Sequence, residues 1–210
     1  MTIIASNMLL AFDTSSAACT AALFDDAGVC VASADEAIGR GHAERLVPMI
    51  AEVLGGQRAD RILVGVGPGS FTGIRVAIAA AHGLTIGWGA ELAGMSSLAL
   101  LVAGADSGDE VAAAVAGGHG ELFFQTFDGA TLAPRGEVRN ATPADAALLV
   151  RAQLVVGSGA EQLVAARGWG EARALSPSAA NALRLPHGIR TLPAKPVYSR
   201  PPDARVREAA

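Results

Sequence analysis

Lysine is nearly missing from this chain: Lys195 is the only one in 210 residues. A Walker-type phosphate loop sets a lysine directly behind its glycines, so no glycine-rich stretch here qualifies as one. Aromatic residues make up 4% of the sequence and the formal net charge is −4. With few rings for bases to stack on and no basic surplus, an independent RNA-binding module is disfavoured. Long apolar runs are missing too. Although 51% of residues are hydrophobic, the excess is Ala and Gly, and no stretch approaches the roughly 18 apolar residues that span a bilayer. Met1 to Asn7 has neither a basic start nor a small-residue cleavage site behind an apolar core. It does not read as a signal peptide, and a cytoplasmic location is expected.

Cysteine and histidine are equally sparse. Cys19 and Cys30 flank a turn at Asp25-Asp26-Ala27-Gly28, and pairing the strands about that turn sets Cys19 opposite residue 34. The expectation is two buried free thiols rather than a disulfide. His42, His82, His119 and His187 include no pair at i and i+4, and Leu46 stands where a zinc-binding helix starting at His42 needs its second histidine. Ser15, Ser16 and Ser70 lack the G-x-S-x-G setting of a hydrolase nucleophile. No metal site and no catalytic nucleophile is expected.

What the chain does have is a pattern that occurs twice. Leu9 to Asp13, Thr20 to Phe24 and Val29 to Ala34 read as three strands joined by hairpin-like turns. Ala43, Leu46, Val47, Ile50, Val53 and Leu54 then recur at helical spacing and stop at Gly55-Gly56. Ile62 to Val66 is a buried strand, Gly67-Pro68-Gly69 turns the chain, and Ser70 caps a helix running to about Gly87. A strand near Leu92 and a helix from Ser96 to Ala103 complete the half. The second half repeats the order: strands at Val111 to Ala116, Leu122 to Phe127 and Thr131 to Val138, a helix opening at Thr142-Pro143, a strand at Leu154 to Val156, then Gly157-Ser158-Gly159 and a helix through Leu163. This predicts a duplicated α/β architecture, two lobes facing across a cleft as in the actin, sugar-kinase and heat-shock ATPase group. The first lobe is expected over 1–105 and a second, abbreviated lobe over 106–195, with 104–109 as linker. A tail over 196–210 follows, extended and Pro/Arg-rich after Pro186. Arg190 to Ala210 holds five Lys/Arg against two acids, which reads as a solvated terminus.

Two loops invite a chemical reading. Gly67-Pro68-Gly69-Ser70-Phe71-Thr72-Gly73-Ile74-Arg75 joins a strand to a helix N-terminus, where free amides and the helix dipole favour anions, although tight-turn packing explains the glycines more simply. Asp13-Thr14-Ser15 offers one carboxylate and two hydroxyls to a nucleotide between the lobes. The corresponding turn of the second lobe, Ala116-Gly117-Gly118-His119-Gly120, offers no carboxylate until Glu121. One acid and no lysine lack most of what phosphoryl transfer requires, so Asp13 is expected to order its own turn. The helix over 71–87 carries two ridges of small residues, one at Gly73, Ala77 and Ala81 and one at Ala79, Gly83 and Gly87. Interior glycines cost a helix roughly 1 kcal/mol each, so a packing reason is expected, and the second ridge suggests a helix-to-helix subunit contact.

Leu9 to Ser15, the segment His42-Ala43-Glu44 with Leu46 and Pro48, the stretch Gly67 to Arg75, and Pro196-Val197-Tyr198-Ser199-Arg200 together resemble the TsaB (YeaZ) family along nearly the whole chain. The resemblance implies a duplicated actin-like fold of the ribonuclease H-like class and a non-catalytic paralogue of the catalytic subunit TsaD, without its metal-binding histidines. It implies binding to TsaD and, with the ATPase TsaE, support for transfer of threonylcarbamoyl to the adenosine 3′ of the anticodon in tRNAs reading ANN codons. ATP and metal would belong to the partner subunits, and tRNA would be met only through the complex. Residues 67–75 form the family's motif loop, and Asp13, Thr14 and Ser15 a vestigial nucleotide turn. His42, Leu46, Ile50, Ile74, Ala80 and Gly83 are expected at the TsaD contact, which a second copy of the chain would use in TsaD's absence. The second-lobe turn departs from the family's usual Asp-Ala-Arg type. The alternative function is an active small-molecule kinase or ATPase of the same fold.

Overall fold

A computed structural model describes residues 7–197. The first half runs β1 (Leu9–Asp13), β2 (Ala18–Phe24), β3 (Cys30–Ala37), α1 (His42–Leu54), β4 (Arg61–Gly65), α2 (Phe71–Trp88), β5 (Glu91–Met95) and α3 (Ser97–Ala103). The second runs β6 (Glu110–Ala116), β7 (Leu122–Asp128), β8 (Pro134–Ala141), α4 (Pro143–Leu149), β9 (Leu154–Val156), α5 (Ala160–Arg167) and β10 (Glu171–Arg173). A 3₁₀ turn at Ala179–Arg184 and a short α6 (His187–Arg190) follow. The sheets are ordered β3-β2-β1-β4-β5 and β8-β7-β6-β9-β10, so the two halves match strand for strand. In each, an antiparallel meander of three strands continues into two parallel ones. This is the duplicated, two-lobed actin-like α/β fold.

Three cores hold it together. On the outer face of the first sheet, Leu10, Phe12, Ile62 and Val64 pack under Leu46, Met49 and Ile50 of α1 and Ile74, Ala77 and Ile78 of α2. A smaller outer core beneath α4 and α5 uses Phe124, Val155, Ala146 and Leu163. Between the sheets lies the core that joins the lobes, in which Leu63 and Met95 meet Val111, Phe127 and Val156 around α3. Every residue of α3 is buried, and β6 reads EVAAAVA. Such small side chains let the helix approach the sheet closely. Among the described residues no helix is long and apolar enough to cross a membrane.

Several expectations need correction. Cys19 pairs with Glu36 rather than residue 34, because the strands part at Phe24, where a bulge and a longer turn closed by Asp25 and Val29 shift the register by two. Cys19 is buried and its thiol is pushed up to about 11 by that burial, whereas Cys30 is exposed on the edge strand β3. β8 starts at Pro134 instead of Thr131 because Thr131 closes a turn, donating from both N and Oγ1 to Asp128 Oδ1 at 2.9 Å. The stretch after Pro186 is not simply extended. Following α6, Leu192 pairs antiparallel with Gly94, and Val197 N donates to Val66 O at 2.9 Å. Residues 187–195, expected in the second lobe, thus run along the sheet of the first. Most of the expected tail, 198–210, lies outside the described residues.

Candidate functional site

The two loops singled out in the sequence fold into each other. β1 delivers Asp13-Thr14-Ser15 to the C-terminal end of the first sheet, and β4 delivers the glycine turn beside it. Ser70 N, at the cap of α2, donates to Ser15 O at 2.6 Å, and Thr14 Oγ1 donates to Gly73 O at 2.7 Å. Gly73 N is capped by Ser70 Oγ at 3.2 Å. The glycines are required by this approach. A Cβ at Gly69 would stand 2.1 Å from Ser15 O, one at Gly73 1.9 Å from Thr14 O, and one at Gly65 1.7 Å from Asp13 Oδ2. Two of the amides at this helix start, Ser70 N and Gly73 N, are thus occupied by the protein's own carbonyl and hydroxyl. Gly67 adopts φ 92°, and its bond to Pro68 is cis.

Asp13 points into the protein and is fully buried. Its Oδ1 accepts from Ser15 N at 2.6 Å and Ser15 Oγ at 2.7 Å, and its Oδ2 accepts from Ser97 Oγ. Ser97 Oγ in turn accepts from Gly67 N at 3.0 Å. The carboxylate is satisfied by three neutral donors and orders the turn. Ser97, which sequence reasoning passed over, ties α3 to both loops. Its only local signal is a second serine immediately after the helix cap Ser96.

Beyond the turn a cleft of about 640 Å³ opens between the lobes, walled by Ser15, Ser16 and Ser70 on one side and Ala116 and Ser158 on the other. Asp13 does not line it. His42 and Glu44, in the first turn of α1, do, and His42 Nε2 is buried without a hydrogen-bond partner. Among the described residues no group of three His, Cys, Asp or Glu is arranged to hold a metal ion.

The outward face of α1 and α2 differs from what was expected of it. Leu46, Ile50 and Ile74 are buried in the outer core of the first lobe, so they support the helices and are unavailable to a partner. Their places at the surface are taken by Val47, 60% exposed, and Ile86, 86% exposed, with Phe71 at the N-terminal end of α2 55% exposed. The ridge Gly73, Ala77 and Ala81 is the buried one, and Ala79, Gly83 and Gly87 face solvent. A Cβ at Gly83 or Gly87 would meet nothing within 4 Å. Ala80 lies between the ridges, half-buried against the core. Thr72 and Arg75 are exposed, and the Arg75 guanidinium stacks 3.5 Å above the Phe71 ring.

Arg45 holds this face in place. It donates from Nε to Glu36 Oε2 of β3 at 2.7 Å and from Nη1 to Glu52 Oε1 of α1 at 2.9 Å. These hydrogen bonds keep both carboxyls below the ordinary glutamate range and raise the guanidinium.

The family model described as TsaD, tRNA N6-adenosine threonylcarbamoyltransferase, matches residues 34–173. The tRNA threonylcarbamoyladenosine biosynthesis protein TsaB of Escherichia coli is 34% identical over 127 residues, covering 57% of this chain and 54% of that protein. Its namesake in Haemophilus influenzae is 35% identical over 124 residues, covering 55% and 52%. The chain thus spans about half the length of the curated relatives it matches. A Pseudomonas aeruginosa crystal structure, described as an uncharacterized protein with similarity to peptidase YeaZ, superposes with a TM-score of 0.78 at 30% identity, covering 92% of this chain and 100% of that one. YeaZ from the same organism gives 0.75 at 28% identity, covering 91% and 99%. Strand-for-strand duplication, the interlocked loops and these likenesses together place the chain in the TsaB (YeaZ) family.

Proposed function

We propose that this protein is a non-catalytic subunit of the machinery that forms N6-threonylcarbamoyladenosine next to the anticodon of tRNAs reading ANN codons. It acts by binding a TsaD-type catalytic subunit, with a TsaE-type ATPase joining the assembly, and it meets tRNA only as part of that complex. The observation that carries this reading is the exposed side of α1 and α2, where Val47 stands out from α1 and Ile86 from α2 beside a ridge of Ala79, Gly83 and Gly87. Apolar side chains next to a backbone with nothing over it suit a second helix pair that packs closely. A lobe of the same fold carries such a pair, so a TsaD-type partner fits, as does a second copy of this chain when that partner is missing. Engagement of Asp13 within its own turn favours a structural over a phosphoryl-transfer role for the loops.

The test is co-purification and affinity measurement with the host's TsaD-type subunit, using Gly83→Glu and Ile86→Asp. Both positions are open, so both variants should fold. Each would bury an unpaired charge at the contact, with an expected loss of about 3 kcal/mol, or roughly a hundredfold in affinity. Depleting the protein in its host should lower threonylcarbamoyladenosine in tRNA while the threonylcarbamoyl-adenylate precursor still forms. Unaltered affinity in both variants would move the interface elsewhere, and unchanged tRNA modification would remove the pathway assignment.

A further inference from the structure

A second cavity, of about 290 Å³, lies away from the motif loops, at the opposite end of the same parallel strands. Leu9, Arg61 and Glu91 sit side by side at the start of β1, β4 and β5. By strand alternation their side chains share one face with Leu63, which belongs to the core between the sheets. Over that face lies α6, fixed by Ser96 N donating to Ile189 O at 2.9 Å and by the pairing of Leu192 with Gly94. His187, Arg190 and Thr191 complete the wall.

Two features distinguish this cavity from an ordinary surface dimple. Arg61 Nε and Arg190 Nε are both buried and both lack a hydrogen-bond acceptor. Neither guanidinium forms an ion pair among the described residues, although the Arg45, Arg135, Arg173 and Arg184 guanidiniums do. Glu91 lines the same space without coming within ion-pair distance of either one. A buried guanidinium donor without an acceptor is disfavoured, and two converging on one cavity call for an oxyanion that accepts from both. The planar fork of arginine matches phosphate geometry, and the Thr191 hydroxyl and His187 ring offer further donors. Two arginines against one glutamate leave a positive balance that suits a doubly charged anion. The small volume restricts the body attached to it.

We propose that this cavity binds a small phosphate, either free or as a phosphate monoester, between Arg61 and Arg190. The experiment uses the full chain labelled with ¹⁵N-arginine and follows the Nε–H resonances at constant ionic strength. Inorganic phosphate is titrated first, then ribose 5-phosphate, then a short RNA oligonucleotide. Arg61→Gln and Arg190→Gln each assign the resonance that disappears, and if one variant does not fold the other still tests the site through its own assigned signal and its loss of affinity. Both signals should shift together and saturate with one dissociation constant, and each folded variant should weaken binding by roughly tenfold or more. Tighter binding of ribose 5-phosphate than of phosphate identifies a monoester site, and the reverse a site for the free ion. Shifts that never saturate, affinity unchanged in a folded variant, or a response to RNA alone would each overturn the proposal.

Discussion

The two lobes close in the same way and secure the closure differently. In both, a glycine turn following the central parallel strand is pressed against the end of the first hairpin. In the second lobe Gly159 N donates to Ala114 O at 3.0 Å and Ala116 N to Ser158 Oγ at 3.1 Å, while a Cβ at Gly157 would stand 2.4 Å from Ala114 O. Backbone contacts and one exposed serine suffice there. The first lobe adds the buried set of Asp13, Ser15, Thr14 and Ser97, and above it an outer core of 20 buried residues against 10 under α4 and α5. Topology can therefore be kept by backbone fit with a single side-chain bond. The additional polar network and the longer helices brace the first lobe, the half we propose meets a partner.

The hardest test of this difference replaces glycines within a single helix. Gly73→Ala drives a methyl into the Thr14 carbonyl, backbone against backbone, and should cost about 3 kcal/mol or more or prevent folding. Gly83→Ala, ten residues further along the same helix, meets open space and should stabilise by roughly 0.5 to 1 kcal/mol through helix propensity alone. Urea unfolding of the two proteins measures both signs. Equal effects would mean that the two ridges do not differ as the structure has them.

Removing the polar groups should produce a smaller but still unequal pair of effects. Asp13→Ala strands three buried donors, Ser15 N, Ser15 Oγ and Ser97 Oγ, for a loss of about 3 kcal/mol with the fold intact. Ser158→Ala leaves only Ala116 N, at a position water can reach, and should cost less than about 1 kcal/mol. A comparable loss at both positions in thermal unfolding would show that the first lobe's network adds nothing beyond the shared backbone closure.

Most of the architecture could be read from the chain because it rests on local pattern. Alternation and turn residues mark the meanders, and the stripe of α1 with its terminal glycines marks the helix. What could not be read depends on partners far away in sequence. Thr14 meets Gly73 across 59 residues and Asp13 meets Ser97 across 84, and neither residue type announces its partner. The misplacement of Leu46, Ile50 and Ile74 at the surface has the same origin: an apolar residue on a helix records that it needs burial, and only the third dimension says whether the protein's own sheet supplies it. Ala43 and Val47 looked like part of the α1 stripe and are left outside. β10 was missed because Glu171-Ala172-Arg173 has no strand pattern of its own and exists through pairing with β9.

The smallest expected effect concerns charge, and it separates the lobes by pH. Arg45 joins β3 to α1 through Glu36 and Glu52, whereas Arg135 joins neighbouring strands through Asp128 at 2.8 Å, with Glu110 at 3.6 Å. The hydrogen bond from Arg135, with help from Thr131, lowers Asp128 to about 2, and those from Arg45 lower Glu36 and Glu52. An unfolded chain returns these carboxyls to about 4, so between the two values it binds more protons than the folded one. Each clamp's contribution is thus complete above roughly pH 5 and fades as pH falls through the folded values, near 2 for Asp128. Arg45→Met and Arg135→Met keep the apolar stem and remove the charge. Each should be slightly less stable than the parent protein at pH 7, by a margin that narrows toward pH 2.5 and shrinks in high salt, since both clamps are partly exposed. The Arg45 margin should be the larger, because that residue ties β3 to α1 through Glu36 and is itself held by Glu52 of its own helix, while Arg135 reinforces a hairpin already paired by its backbone. Urea titrations at pH 7, 5, 4 and 3 read these margins directly, and a margin that stays constant with pH would show that the substitution acts through packing instead of charge.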